Sequence, residues 1–274
     1  SVDVGEASVH LKNHAVNILH KLKLDKVDIL YLSGSSEDHI KEILKHEGAV
    51  VCEQRTIDLE DYAVNTLAKL KIQNIGELEL SVEKEEHIKE VLKWEDCSVN
   101  LEGVENVELK EYAVNILPKL KLGNTKSLEL CGREEGHIKE ILKYENNSIE
   151  LGEIDDMKIT DHAVNILPKL KLENTKRLEL CGWGKESIKE ILKCENNSIE
   201  LGETEKVELG FSAVNILLRL KLEGVEELIL RRWEGELSEL FVPEDCSTDL
   251  REKEKMKLEE YLVNMLPKSK LKRI

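Results

Sequence analysis

The stretch from Val107 to Leu142 reads VELKEYAVNILPKLKLGNTKSLELCGREEGHIKEIL. It decides the fold. Two short runs, Val107-Glu108-Leu109 and Ser127-Leu128-Glu129-Leu130, alternate apolar and polar residues. That is the period-2 signature of a strand with one buried face. Each run is followed by apolar residues three and four apart: Ala113, Ile116, Leu117 and Leu120 after the first, and Ile138, Ile141 and Leu142 after the second. That spacing predicts a helix with one buried stripe. The unit is therefore a strand followed by a helix.

The unit recurs along the chain. Ala15-Val16-Asn17, Ala63-Val64-Asn65, Ala113-Val114-Asn115, Ala163-Val164-Asn165 and Ala213-Val214-Asn215 share one string, and Leu262-Val263-Asn264 closes the series. Successive asparagines lie 48, 50, 50, 50 and 49 positions apart. Each period holds two halves, so units of about 24–26 residues are expected, about eleven in all. Strands are predicted at about 9–11, 57–59, 78–80, 107–109, 128–130, 157–159, 178–180, 207–209 and 228–230, each followed by a helix. The whole chain, 1–274, reads as one repeat domain with atypical end units at 1–8 and 242–274. Pro118, Pro168 and Pro267 fall just after the Ala-Val-Asn stripe and are expected to end or kink those helices.

Such a unit cannot bury its apolar face alone, but stacked neighbours can. The expected class is an α/β solenoid with one parallel sheet and helices covering its other side. Strands pack closer together than helices, so the stack is expected to curve with the strands inside.

Two spacings carry a family resemblance: Leu122-x-x-Thr125-x-x-Leu128-x-Leu130 and Leu101-x-x-Val104-x-x-Val107-x-Leu109. They resemble the leucine-rich-repeat pattern, and the two alternating unit types resemble its ribonuclease-inhibitor-like subclass. The resemblance implies a horseshoe with a concave sheet and a convex helical side. It also implies a protein that binds another macromolecule. The family's buried Asn or Cys rung after the strand is absent. His14, Tyr62, Tyr112, His162, Ser212 and Tyr261 stand there in one unit type, and Ser35, Glu83, Arg133, Trp183 and Trp233 in the other.

Composition narrows the function. A net charge of −16 argues against nucleic acid and anionic membranes, and leaves basic proteins as partners. No apolar run reaches the ~18 residues that a membrane span requires. None of the six cysteines forms a Cys-x-x-Cys pair, and Cys131 and Cys181 fall two units apart, roughly 9–10 Å. All six are expected to be reduced, which favours the cytoplasm. Asn146-Asn147-Ser148 and Asn196-Asn197-Ser198 match the glycosylation pattern and keep a secreted protein open.

No nucleotide loop, HExxH or Gly-x-Ser-x-Gly occurs, so no catalytic residue, cofactor or metal is expected. His39, His87 and His137 read as solvated residues near a helix start, too far apart to share a metal. The repeated asparagines read as a polar helix position off the apolar stripe.

Partner-binding candidates form two groups. Between the strand leucines the order is His10, Tyr31, Asp58, Glu79, Glu108, Glu129, Lys158, Glu179, Glu208, Ile229 and Lys257. Six acids there (Asp58, Glu79, Glu108, Glu129, Glu179 and Glu208) would face outward side by side. The second group is an edge of Arg133, Trp183, Arg231, Arg232 and Trp233, residue types enriched in binding hot spots. The expectation is a scaffold or inhibitor that binds a protein through these surfaces. The alternative is the recognition module of a secreted or larger multidomain assembly.

Overall fold

The structure is a computed structural model, and it describes residues 2–3, 8–24, 26–172, 174–231 and 255–258. Ten strands, from Val9–Lys12 to Glu227–Arg231, pair in sequence order into one sheet, and Lys255–Leu258 adds at its end. Every pairing is parallel. All nine predicted strand centres lie in this sheet, and a further strand, Ile29–Gly34, follows the first. Sequence alternation explains the sidedness. Leu59, Leu80, Leu109, Leu130, Leu180 and Leu209 have no exposed surface, while the residues between the leucines face outward.

The units are not of equal length, contrary to expectation. Glu108 pairs with Glu129 after a short step along the chain, and Glu129 pairs with Lys158 after a long one. The same alternation follows from Lys158 to Glu179 to Glu208. The double unit is the true period, and its halves differ.

The flanking helices also differ from expectation. Asn13–Lys21, Tyr62–Lys69, Tyr112–Lys119, His162–Lys169 and Ser212–Arg219 are 3₁₀ helices. Lys41–Lys45 is the one α-helix among the described residues. The return path from Glu111, at the end of one strand, to Thr125, at the start of its neighbour, is short. A 3₁₀ helix rises ~2.0 Å per residue against ~1.5 Å for an α-helix, so it crosses the layer with fewer residues. Leu120 lies beyond the helix, in a short strand that pairs with Val99–Asn100. Equivalent ladders join Ile149–Glu150 to Leu170–Lys171 and Ile199–Glu200 to Leu220–Lys221. Pro118 and Pro168 occupy the second-last helical position, and their carbonyls accept the amide N–H of Cys97 and Asn147 at 3.0 Å.

Cys97, Asn147 and Asn197 all sit at φ +55°. Asparagine tolerates that left-handed conformation, which accounts for the repeated Asn-Asn-Ser as turn chemistry. The five described cysteines are unpaired, and Cys246 lies outside the described residues.

Two repeated polar positions are buried, contrary to the sequence reading. Asn65, Asn115 and Asn165 are each 2% exposed. Asn115 Oδ1 accepts the backbone N–H of Glu140 and Ile141, and Asn165 Oδ1 those of Glu190 and Ile191. Asn115 and Asn165 therefore supply acceptors to the next unit's flanking turn, where orphan amides would otherwise be buried, whereas Asn65 donates its Nδ2 to the carbonyls of Tyr62 and His87. His87 and His137 are 4% and 5% exposed and do not lie in solvent. They pack against Tyr62 and Tyr112, with ring centroids 4.4 and 4.6 Å apart. His14 meets His39 edge-on, and Ser187 bonds Ser212 at 3.1 Å. His14, Tyr62, Tyr112 and Ser212, which follow their strands, are thus each paired with a side chain from the first flanking turn of a neighbouring unit.

Candidate functional site

The open face of the sheet carries three columns of outward side chains. The central column runs in register through His10, Tyr31, Asp58, Glu79, Glu108, Glu129, Lys158, Glu179, Glu208 and Ile229. Lys257 takes the next register position along the backbone. All six column acids are thereby brought to one face, on neighbouring strands about 4.8 Å apart. Like charges so placed repel, and donors in the flanking columns, with Lys158 of the column itself, relieve most of them.

Lys110, two positions beyond Glu108 on the same strand face, reaches Glu79 at 2.6 Å and Glu108 at 3.0 Å. Burial works against its charge, but bonds to those two carboxylates hold the Lys110 ammonium well above its ordinary pKa. Lys158 bonds Glu129 at 2.7 Å, and Cys181 Sγ donates to Glu179 at 3.6 Å. Burial, then the charge of Glu179, pushes the Cys181 thiol up to about 12, so it stays protonated at neutral pH. Glu208 is nearly enclosed and accepts Arg231 Nε at 2.8 Å. Arg231 therefore belongs to the open face and not to the tryptophan edge. Tyr31 donates its hydroxyl to Glu60. The sequence reading missed Lys110 and Glu60, although strand alternation alone puts both beside the acidic column.

Asp58 is different. Its Oδ1 is closed to solvent and has no hydrogen-bond partner. Burial first, then the charges of Glu79 and Glu60, raise its carboxyl to about 6. The sign follows from linkage: a carboxyl raised above its unfolded value stabilises the fold at low pH and loses that contribution as pH rises through about 6. Asp58→Asn is therefore expected to be more stable than wild type by about 1 kcal/mol at pH 7.5, after discounting for partial exposure, and no more stable at pH 4. Thermal unfolding across that pH range checks it. Equal curves at pH 7.5 would show that water already solvates the carboxylate.

At the edge, Trp183 is 59% exposed and lies against Phe211, with ring centroids 4.0 Å apart. Phe211 was not singled out in the sequence because its strand-end position is aspartate or glutamate in the matching units: Asp61, Glu111 and Asp161. All four hold φ near +55° with ψ near −130°, a conformation that glycine adopts most easily. Arg133 is exposed and 3.7 Å from Glu111. Arg232 and Trp233 lie outside the described residues.

Among the described residues, no three His, Cys, Asp or Glu side chains converge as a metal site. No helix among them is long and apolar enough to cross a membrane. No family model matches the chain, and neither a curated protein nor a solved structure resembles it significantly.

Proposed function

We propose that this chain is a leucine-rich-repeat-like horseshoe whose open sheet face is concave, and that it works by binding a protein there and not by catalysis. One observation carries the reading. Ten strands hold their outward polar side chains in register, and ion pairs between strands already fix several of those side chains, among them Glu79, Lys110, Glu129, Lys158, Glu208 and Arg231. A surface ordered before binding loses less conformational entropy when a partner arrives. The Trp183–Phe211 edge adds exposed aromatic area of the kind that sustains a bound state. The net charge of −16 favours a basic partner, with long-range attraction raising the association rate.

The reading is tested by placing a photo-crosslinking residue at Ser127 or Asp156 on the open face, and at Lys89 or Lys139 on the flanking helical turns. Adducts with the physiological partner are expected from the first pair alone. Adducts from the second pair alone would move the binding surface to the helical side.

A further inference from the structure

Five of the eight histidines stand in the first double unit: His10, His14, His20, His39 and His46. Four of them lie between its flanking turns. His20, at the end of Asn13–Lys21, stacks on His46, just past Lys41–Lys45, with ring centroids 4.4 Å apart. His14 meets His39 with centroids 4.6 Å apart. His14 is exposed, and the other three are half-buried.

Later units build the same interface differently. Tyr62 and Tyr112 take the place of His14, opposite His87 and His137. A carboxylate accompanies each of those histidines. Asp61 Oδ1 bonds His87 Nδ1 at 2.8 Å, and although His137 faces His162, the charges of Glu111 and Glu134 act on it in compensation. The matching strand-end residue of the first unit is Asn13, which is neutral and accepts the Ser35 hydroxyl at 3.2 Å. His39 Nδ1 is closed to solvent and has no hydrogen-bond partner. Where His20 and His46 stack, later units carry Ala68 and Trp94, Pro118 and Tyr144, and Pro168 and Cys194.

The charges around the two first-unit pairs do not offset protonation. Lys21 adjoins His20, and Lys69 of the next unit bonds the His46 carbonyl at 2.9 Å. Glu37, Asp38 and Glu47 are exposed to water, Asp38 reaches Lys41 at 3.8 Å, and Glu42 is bonded to Lys45 at 3.1 Å. Asp61, at the end of the next strand, is taken by His87 and the Glu83 N–H. Tyr62, which matches His162, is neutral.

We infer that the first double unit is an acid-labile clasp: protons taken up by these imidazoles set like-charged rings against each other between its flanking turns, which part while the later units stay closed. Unit charges that close repel even in water. Solenoid units touch only their neighbours, so one interface can open by itself. Partial burial, then the charges of His46 and Lys21, hold His20 below its ordinary pKa. A histidine so lowered contributes stability above the ordinary value, and that contribution is lost as pH falls below it. The clasp is therefore closed at pH 7.5 and weakened at pH 5, whatever docks on the open face.

Amide exchange of the full chain at those two pH values, corrected for intrinsic rate, is the test. Asn17 Oδ1 accepts the N–H of Glu42 and Ile43 across the histidine interface. Asn165 Oδ1 accepts those of Glu190 and Ile191 across an interface built on Ser187 and Ser212. Protection at Ile43 is expected to fall about tenfold from pH 7.5 to pH 5, and at Ile191 to stay within about twofold. His20→Leu combined with His46→Tyr copies the side chains of Leu218 and Tyr144 and should remove most of the loss. Asn13→Asp keeps every ring and supplies the carboxylate that Asp61 holds at the same backbone conformation. It should recover about threefold of the protection at pH 5. Equal losses at Ile43 and Ile191 in the wild type would overturn the inference, since acid would then loosen the whole solenoid. An unchanged loss at Ile43 in the double variant would overturn it as well, and if that variant does not fold, an unchanged loss in Asn13→Asp would.

Discussion

Asn165→Ala is expected to cost about 3 kcal/mol of stability, through the loss of one side-chain oxygen that serves two buried amides. Asn165 Oδ1 accepts two backbone donors of the following unit, Glu190 N–H at 2.9 Å and Ile191 N–H at 3.1 Å, and the residue is 2% exposed. Alanine leaves both donors unsatisfied, at about 1–3 kcal/mol each. Asn17 provides the control within the same chain. It makes the same pair of bonds, to Glu42 N–H at 2.9 Å and Ile43 N–H at 3.1 Å, but in a setting more open to solvent. Water can replace the amide there, so Asn17→Ala should cost about 1 kcal/mol or less. Urea denaturation of both variants gives the comparison. Equal costs would mean that the asparagine acts through packing and not as an acceptor for the next turn.

Gly182→Ala is expected to destabilise by about 2 kcal/mol, because the added methyl group overpacks a hydrogen-bonded pair. A β-carbon at Gly182 would stand 2.7 Å from Ser187 Oγ and 2.8 Å from Ser212 Oγ. Those hydroxyls bond each other at 3.1 Å, and Ser212 also donates to the Gly182 carbonyl. Neither can retreat without losing a buried hydrogen bond, so overpacking and lost bonding add. Gly132, one period earlier, faces Ile138 Cγ2 at 3.3 Å and the Ala163 amide nitrogen at 3.4 Å. A slight movement accommodates a methyl group there, and Gly132→Ala should cost less than half as much. Thermal unfolding of the pair decides. A cost at position 132 equal to that at 182 would show that backbone freedom, common to both, sets the requirement for glycine.

Much of this architecture was legible before any coordinates. Leu128 and Leu130 could only share a face if the segment were a strand, and the recurrence of that pair implied a parallel stack. The helical type was not legible. Ala113 and Ile116 are three apart, which fits a 3₁₀ helix as well as an α-helix, and only the short return path between neighbouring strands selects the tighter form. The burial of His87 and His137 was hidden for a related reason. Each lies in a charged stretch of sequence, and the tyrosines that cover them belong to other units.

The register of the open face was determined by the sequence itself. Side chains alternate with a period of two, so a one-residue slip on any strand would turn its buried leucines into solvent. That constraint aligned the central positions, from His10 to Lys257, without reference to tertiary structure. Which charges on that face are satisfied was decided only in three dimensions. Lys110 reaches back across the chain to Glu79, and Arg231 reaches Glu208 on the strand beside it. No local pattern encodes those reaches, because they depend on which strands lie side by side. The same lateral neighbours leave Asp58 Oδ1 and Glu208 Oε2 buried without a donor. Sequence put the acids in a column, and packing between units decided which of their oxygens have a donor.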